Sequence, residues 1–330
     1  MQLPPLAADA GIRCLPIPTP FAVGRVNCYL IEDEPLTLVD TGPNSGKALD
    51  ELEQKLAALG RRVEDLELIV LSHQHMDHLG LAGILARRSG AEVAALEALA
   101  PWAASYGQNM AADDAFAEAI MARHGIPEDV RHALRAVAGG FRAWGAPVTV
   151  TRFLNEGDTL DLRDRSLRVL HRPGHSPSDT VFVDEERRLA LGGDHLIKHI
   201  SSNPLIARPL NGETDRRPQA LVTYLASMDR TYEDDLDVVL SGHGEPIDDH
   251  RALIDERRRL HSRRADKLHG LIAAEPRTAY ELAHEMWGNV AVTQAYLTLS
   301  EILGHTDLLV NEGRAREVPG DDGVVRFEAT

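Results

Sequence analysis

Apolar positions along the 330-residue chain follow two rhythms. Short aliphatic runs bounded by turn residues read as strands. They cover 26–31, 36–39, 66–71, 91–96, 148–150, 167–170, 180–183, 188–191 and 237–240. Glu32-Asp33-Glu34-Pro35 reads as the turn between the first two, and Asp184-Glu185-Glu186 as a hairpin turn. Other stretches repeat at helical spacing. Leu49, Leu52, Leu56 and Leu59 form one apolar stripe, closed by Gly60, and predict a helix over 47–59. A second helix is expected over 79–88. Strands alternating with helices place the chain in the α/β class.

Two regions depart from this alternation. Residues 97–146 are rich in alanine and carry no strand signal, so they read as a helical insert. They hold two of the three tryptophans in a chain that is only 5% aromatic, and the region is expected to form a lid or pocket wall. Trp102 and Tyr106 are its candidate substrate contacts, while His124 and His132 are expected to face solvent. Beyond residue 250 the pattern becomes helical over 251–274, again from 279 with Thr278 as N-cap, and again over 292–303. Residues 308–310 and 324–327 read as a closing hairpin. The domain division expected is therefore 1–250 and 251–330.

Chemistry concentrates at one place. Ser72-His73-Gln74-His75-Met76-Asp77-His78 follows the run 66–71 and precedes the helix expected over 79–88. It lies at the carboxyl end of a strand, where sheet enzymes commonly build sites. Neutral imidazoles bind transition metals, and a carboxylate can join them. In extended chain His73, His75 and Asp77 point one way, and His78 follows the turn. One loop could then serve two ions, His73 and His75 on one, Asp77 and His78 on the other.

The motif His-x-His-x-Asp-His resembles the signature of the metallo-β-lactamase superfamily. Four further stretches match that family's pattern in order: Val39-Asp40-Thr41-Gly42, Pro173-Gly174-His175-Ser176, Gly192-Gly193-Asp194-His195 and Ser241-Gly242-His243-Gly244. The resemblance implies an αββα sandwich whose insert covers the site. It also implies a ligand set. His73, His75 and His175 would hold one divalent ion, and Asp77, His78 and His243 a second. Asp194 would bridge them, and Asp40 would support the ligands from behind. His73, His75, Asp77 and Asp194 are thereby the expected catalytic groups, on the premise that two ions share a water and make hydroxide available near neutral pH. Zinc suits the histidines, and iron or manganese would also be accommodated. β-Lactam-cleaving members typically carry Cys where Asp194 stands, which argues against an antibiotic-destroying role. His195 is a further candidate for the pocket lining, whereas His171 reads as structural. Three helices and a hairpin resemble a winged helix, and lactamase-like hydrolases with such a C-terminal domain, related to glyoxalase II-type enzymes, are the nearest subgroup.

Charge decides between functions. Lys plus Arg total 35 against 51 Asp plus Glu, a formal net charge of −16. Nucleases need a basic track for phosphates, so nucleic acid is disfavoured as a partner despite Arg257-Arg258-Arg259. The expected activity is hydrolysis of a small-molecule thioester, lactone or other ester. A metal-dependent endoribonuclease or phosphodiesterase is the alternative, and a non-catalytic nucleic-acid-binding regulator ranks third. The C-terminal domain is expected to close the pocket or form a homodimer. Two cysteines, Cys14 and Cys28, demand no disulfide, and no leader or membrane-spanning run is read, so a cytoplasmic setting is expected.

Overall fold

The computed structural model describes residues 3–330. Six strands, β1 (Ile12–Ile17), β2 (Val26–Ile31), β3 (Thr37–Val39), β4 (Leu68–Val70), β5 (Glu92–Leu96) and β6 (Arg152–Leu154), form one sheet in sequence order. Five more, β7 (Thr159–Asp161), β8 (Ser166–His171), β9 (Thr180–Asp184), β10 (Leu189–Gly193) and β11 (Val238–Ser241), form a second sheet in the order β11-β10-β9-β8-β7. β12 (Arg277–Thr278), β13 (Ala315–Pro319) and β14 (Val325–Ala329) make a small third sheet.

Side-chain alternation explains the layering. On β2, Val26, Cys28 and Leu30 pack outward with Leu52 and Leu56 of the helix Gly46–Ala58. Tyr29 and Ile31 face the other way, into a core shared with Phe182, Leu191 and Leu240 of the second sheet. The second sheet repeats the rule. Val169 and Phe182 point at the first sheet, while Leu170, Val181 and Val183 pack under the helix Ala220–Glu233 through Tyr224 and Met228. The result is the expected helix–sheet–sheet–helix sandwich. Truncating a fully buried leucine such as Leu52 would cost about 2–5 kcal/mol.

The insert and the C-terminal segment share a fourth core. Ile120 and Met121 of the helix Tyr106–Arg123, with Ile126, pack against Leu268, Leu282, Leu299, Ile302 and Phe327. The long helix His250–Ile272 starts on the second sheet through Leu253 and Ile254 and ends in this fourth core through Leu268 and Ile272. It begins at the division expected at residue 250. The N-cap expected at Thr278 is present and forms a capping box: its hydroxyl accepts from Glu281 N (3.1 Å), and Glu281 accepts from Thr278 N (2.8 Å).

Several expectations are corrected. Residues 308–310 are helical, because Ala295–Asn311, buried on all sides from Thr298 to Asp307, continues through Leu309 before Gly313 stops it at φ 71°. The hairpin is instead β13–β14. Residues 148–150 join no strand, and β6 begins at Arg152. His124 is buried rather than solvent-facing, stacked on Phe327 with ring planes 8° apart. Burial pushes its pKa down to about 3, with Arg217 and Arg123 adding to the effect. His132 is exposed as expected. Among the described residues no helix is long and apolar enough to cross a membrane.

Candidate metal centre

All seven ligand candidates converge where the two sheets meet. The loop after β4 carries His73 and His75, and the short helix Met76–Leu79 carries Asp77 and His78. The turn after β8 supplies His175, the end of β10 supplies Asp194, and the end of β11 supplies His243. Two glycines permit the approach. A Cβ on Gly242 would collide with Asp194 Oδ1, so only glycine fits beside that carboxylate. Gly174 has φ 152°, and a Cβ there would collide with Tyr224 Cα.

The geometry divides into two overlapping halves. His73, His75 and His175 offer nitrogens within one ion's reach, and so do Asp77 and the nitrogens of His78 and His243. His75 Nδ1 and His175 Nε2 are 2.9 Å apart. Asp194 reaches both halves: Oδ2 lies 3.6 Å from His175 Nε2 and 3.4 Å from His243 Nε2, and Oδ1 lies 3.4 Å from His78 Nε2. His243 Nε2 is 3.3 Å from Asp77 Oδ2.

Outer hydrogen bonds set the tautomers. His78 Nδ1 donates to Asp40 Oδ2 (2.8 Å), His243 Nδ1 to Arg25 O (2.8 Å) and His175 Nδ1 to Asn203 O (3.2 Å). His73 Nδ1 lies 2.9 Å from Ser72 Oγ, which donates its own proton to Asp40 Oδ2 at 2.7 Å. Each of these four imidazoles thus turns a bare Nε2 inward. Asp40 also accepts from Ser72 N at 2.9 Å, so its carboxylate holds the loop and His78 together. It adopts φ 58°, a left-handed conformation that Asp tolerates.

Four of the inward atoms have no hydrogen-bond partner within the protein. His73 Nε2, His78 Nε2, His243 Nε2 and Asp194 Oδ1 are all buried and unpaired. Orphaned lone pairs of this number, aimed at one another, fit divalent cations. The protonation balance agrees. Burial, with its imidazole neighbours, holds His73 well below the usual histidine range and His75 at about 3, leaving both neutral. Burial also works against charge on His78 and His243, yet Asp194 and its carboxylate neighbours outweigh it. His78 rises well above the ordinary value, and His243 rises to about 10. Burial would raise Asp194, but His243 and His78 hold it well below the carboxylate range. The negative half of the centre therefore attracts a proton or a cation.

Other candidates fall elsewhere. Trp102 and Tyr106 are packed into the core beneath the first sheet, with Trp102 Nε1 donating to Asp113 Oδ2 at 3.0 Å and Tyr106 OH donating to Arg142 O at 3.0 Å. Their side chains are occupied by packing and do not form a pocket wall. His195 is buried behind Asp194, its Nε2 2.9 Å from Thr231 Oγ1, and burial together with Arg172 and Arg230 lowers its pKa to about 3. His171 Nε2 donates to Pro177 O at 2.9 Å, a structural bond. Asn203 and Arg25 were not legible as site residues, since they act through backbone carbonyls that carry no residue signature. A second histidine group, His261, Glu301 and His305, also lay outside the sequence reading. His261 Nδ1 and His305 Nε2 are 3.1 Å apart, and His305 Nδ1 donates to Glu301 O at 2.6 Å.

Comparison with known proteins agrees with this geometry. Residues 22–243 match the Metallo-beta-lactamase superfamily. The probable metallo-hydrolase YqjP of Bacillus subtilis (strain 168) is 33% identical over 296 residues, covering 90% of this chain and 91% of that protein. The hydroxyacylglutathione hydrolase GloC of Haemophilus influenzae is 25% identical over 181 residues, 54% of this chain and 70% of that protein. Among solved structures, the metallo-beta-lactamase family protein TTHA1429 from Thermus thermophilus superposes with a TM-score of 0.80 at 28% identity, covering 97% of this chain and 99% of that one.

Proposed function

The chain belongs to the metallo-beta-lactamase superfamily of hydrolases, and from that premise we propose a two-ion hydrolase acting on the carbonyl of a thioester, lactone or other ester. The observation that carries the reading is Asp194, whose carboxylate lies 3.6 Å from His175 Nε2 in the first group and 3.4 Å from both His78 Nε2 and His243 Nε2 in the second. A carboxylate so placed suits two cations better than one. His73, His75 and His175 would hold the first, Asp77, His78 and His243 the second, with zinc the best match to the imidazoles. Bound there, the ions would supply Lewis acidity, acidifying a water and polarising the substrate oxygen.

The protein's own groups set the geometry of that chemistry. Asp40, Arg25 O and Asn203 O fix which nitrogen of each imidazole faces inward. The sheets bury the rear of the centre, so His73, His78 and His243 are shielded from water. His75 and His175 remain partly exposed, and the substrate approaches past them. The name of the Haemophilus influenzae relative, a hydrolase of an acylated glutathione, favours a thioester within the carbonyl class.

Three arginines of the basic helix are committed within the protein, which weakens a phosphodiesterase reading. Arg257 spends its guanidinium on the carbonyls of Ile197, Lys198 and Ile200, Arg258 is paired with Asp229 and Asp255, and Arg264 is paired with Glu301. Metal analysis of the purified protein, combined with thioester, ester, lactone and phosphodiester substrates, tests the proposal. The expected result is two ions per chain and turnover of carbonyl substrates alone. Cleavage of single-stranded RNA without thioester turnover would reverse the assignment.

A further inference from the structure

Six large apolar side chains are exposed among the described residues: Val137, Phe141, Phe153, Ile200, Val290 and Leu297. Scattered single exposures need no explanation, but these are not scattered. Val137, Phe141 and Leu297 line one cavity of about 580 Å³ between the loop before β2, the insert helices and the helix Ala295–Asn311. Ile200, Val290 and Leu297 line a neighbouring cavity of about 470 Å³. The two adjoin at Gln294 and Leu297, so five of the six exposed side chains line this pair of neighbouring cavities, which together make up the groove.

The groove is tied to the metal centre on both sides. Asn203, in its wall, accepts from His175 Nδ1 through its carbonyl and donates Nδ2 to Leu297 O at 3.2 Å. On the other side Phe21 and Val23 line the groove in the same loop as Arg25, whose carbonyl holds His243. Each wall is thus one short tether from a ligand imidazole, and the nearer tether ends at His175, on the open edge of the centre. The charged groups lining the first cavity are paired, Asp114 with Arg142 and Glu118 with Arg131 and Arg135, and in the second Arg264 is paired with Glu301 and Arg257 with Glu256. Phe21 and Phe141 close the far end with ring centroids 5.7 Å apart. Self-paired charges around the apolar floor of the first cavity favour a hydrocarbon over a polar ligand there, while Asn203 and the more polar second cavity face the His175 side.

We propose that this groove is the acyl subsite, taking an apolar chain attached to the scissile carbonyl, so that the substrates are hydrophobic acyl thioesters or esters. The inference rests on the carbonyl-hydrolase reading and narrows it. In the reaction one water is consumed. Its oxygen bonds to the carbonyl carbon, the carbon–sulfur or carbon–oxygen bond breaks, and the leaving atom takes a proton. The chain itself stays in the groove as part of the carboxylic acid product.

The test uses the full-length, metal-loaded protein and acetyl, butyryl, hexanoyl, octanoyl and decanoyl thioesters of one thiol. kcat/KM should climb by roughly fourfold per methylene buried, equivalent to about 0.8 kcal/mol. Leu297→Asp and Val137→Asp, at positions already exposed, should flatten that series. Phe153→Asp, the one exposed apolar side chain outside the groove, should leave its slope unchanged. Calorimetry with decanoate below its micelle concentration gives a readout independent of turnover: decanoate should bind, acetate should not, and Leu297→Asp should weaken decanoate at least tenfold. A flat acyl series in the wild-type protein, or an unchanged slope in Leu297→Asp, overturns the subsite while leaving the hydrolase reading intact. If no thioester or ester turns over at all, the hydrolase reading fails, and absent decanoate binding then overturns the groove as well.

Discussion

At the scale of residues, the centre contains two kinds of side chain that should fail differently. His75 contributes Nδ1 toward His175 and lies on the partly exposed edge, so its loss removes a ligand without opening the core. His75→Ala should therefore lower activity to background and deplete bound metal, while far-ultraviolet circular dichroism stays that of the wild type. Near-normal turnover in that variant would remove the central claim about the ligand set. Asp40 instead accepts three hydrogen bonds, from Ser72 N, Ser72 Oγ and His78 Nδ1. Asp40→Asn keeps the left-handed backbone but cannot accept all three, since one amide position donates. It should weaken metal affinity or activity by about 10–100-fold. It should also reduce stability by about 1–3 kcal/mol, because a buried donor loses its acceptor. Metal titration and urea unfolding measure the two effects separately. An Asp40→Asn protein equal to wild type in both would make Asp40 a turn residue only.

At the scale of elements, the turn that presents His175 depends on backbone geometry more than on side-chain chemistry. Gly174→Ala would press a Cβ against the Tyr224 backbone in a conformation L residues avoid. The expected outcome is a shifted His175, loss of activity of about tenfold or more and a lowered midpoint in thermal unfolding. A Gly174→Ala enzyme with full activity would show that Tyr224 and its helix yield without moving the ligand. Elements of this kind also show what could be read from the chain alone. Strands such as β2 and β9 announce themselves because each is a bounded apolar run, and the ligands follow because they sit at strand ends. β1 and β7 went unmarked: Arg13 and Pro16 interrupt one, and Thr159-Leu160-Asp161 carries a single apolar residue. The helix Ala220–Glu233 was equally silent, its buried stripe including Ser227 and Thr231, polar residues that hide the period. The expectation of Trp102 and Tyr106 as pocket residues came from aromatic clustering, which marks a core as readily as a ligand wall.

At the scale of the whole molecule, the last 80 residues are joined to the sandwich by more than a linker. Ile120, Met121 and Ile126 of the insert are covered by Leu268, Leu282, Leu299 and Phe327, and Arg217 is paired with Asp307 at 2.5 Å. The helix His250–Ile272 lies in two cores at once. Removing residues 251–330 therefore strips the apolar cover from the insert and one wall from the acyl groove, although every metal ligand lies upstream. The truncated protein should still bind metal through the sandwich, with its insert cut within 106–141 by a trace of protease that leaves the full chain intact. Its turnover of a decanoyl thioester should fall more than its turnover of an acetyl thioester, because the longer chain alone needs Leu297. A parallel loss for both substrates would mean that the C-terminal segment acts on the metal centre itself. A soluble truncation with a protease-resistant insert would mean that the shared core contributes little, and the two regions would then be independent units in contact.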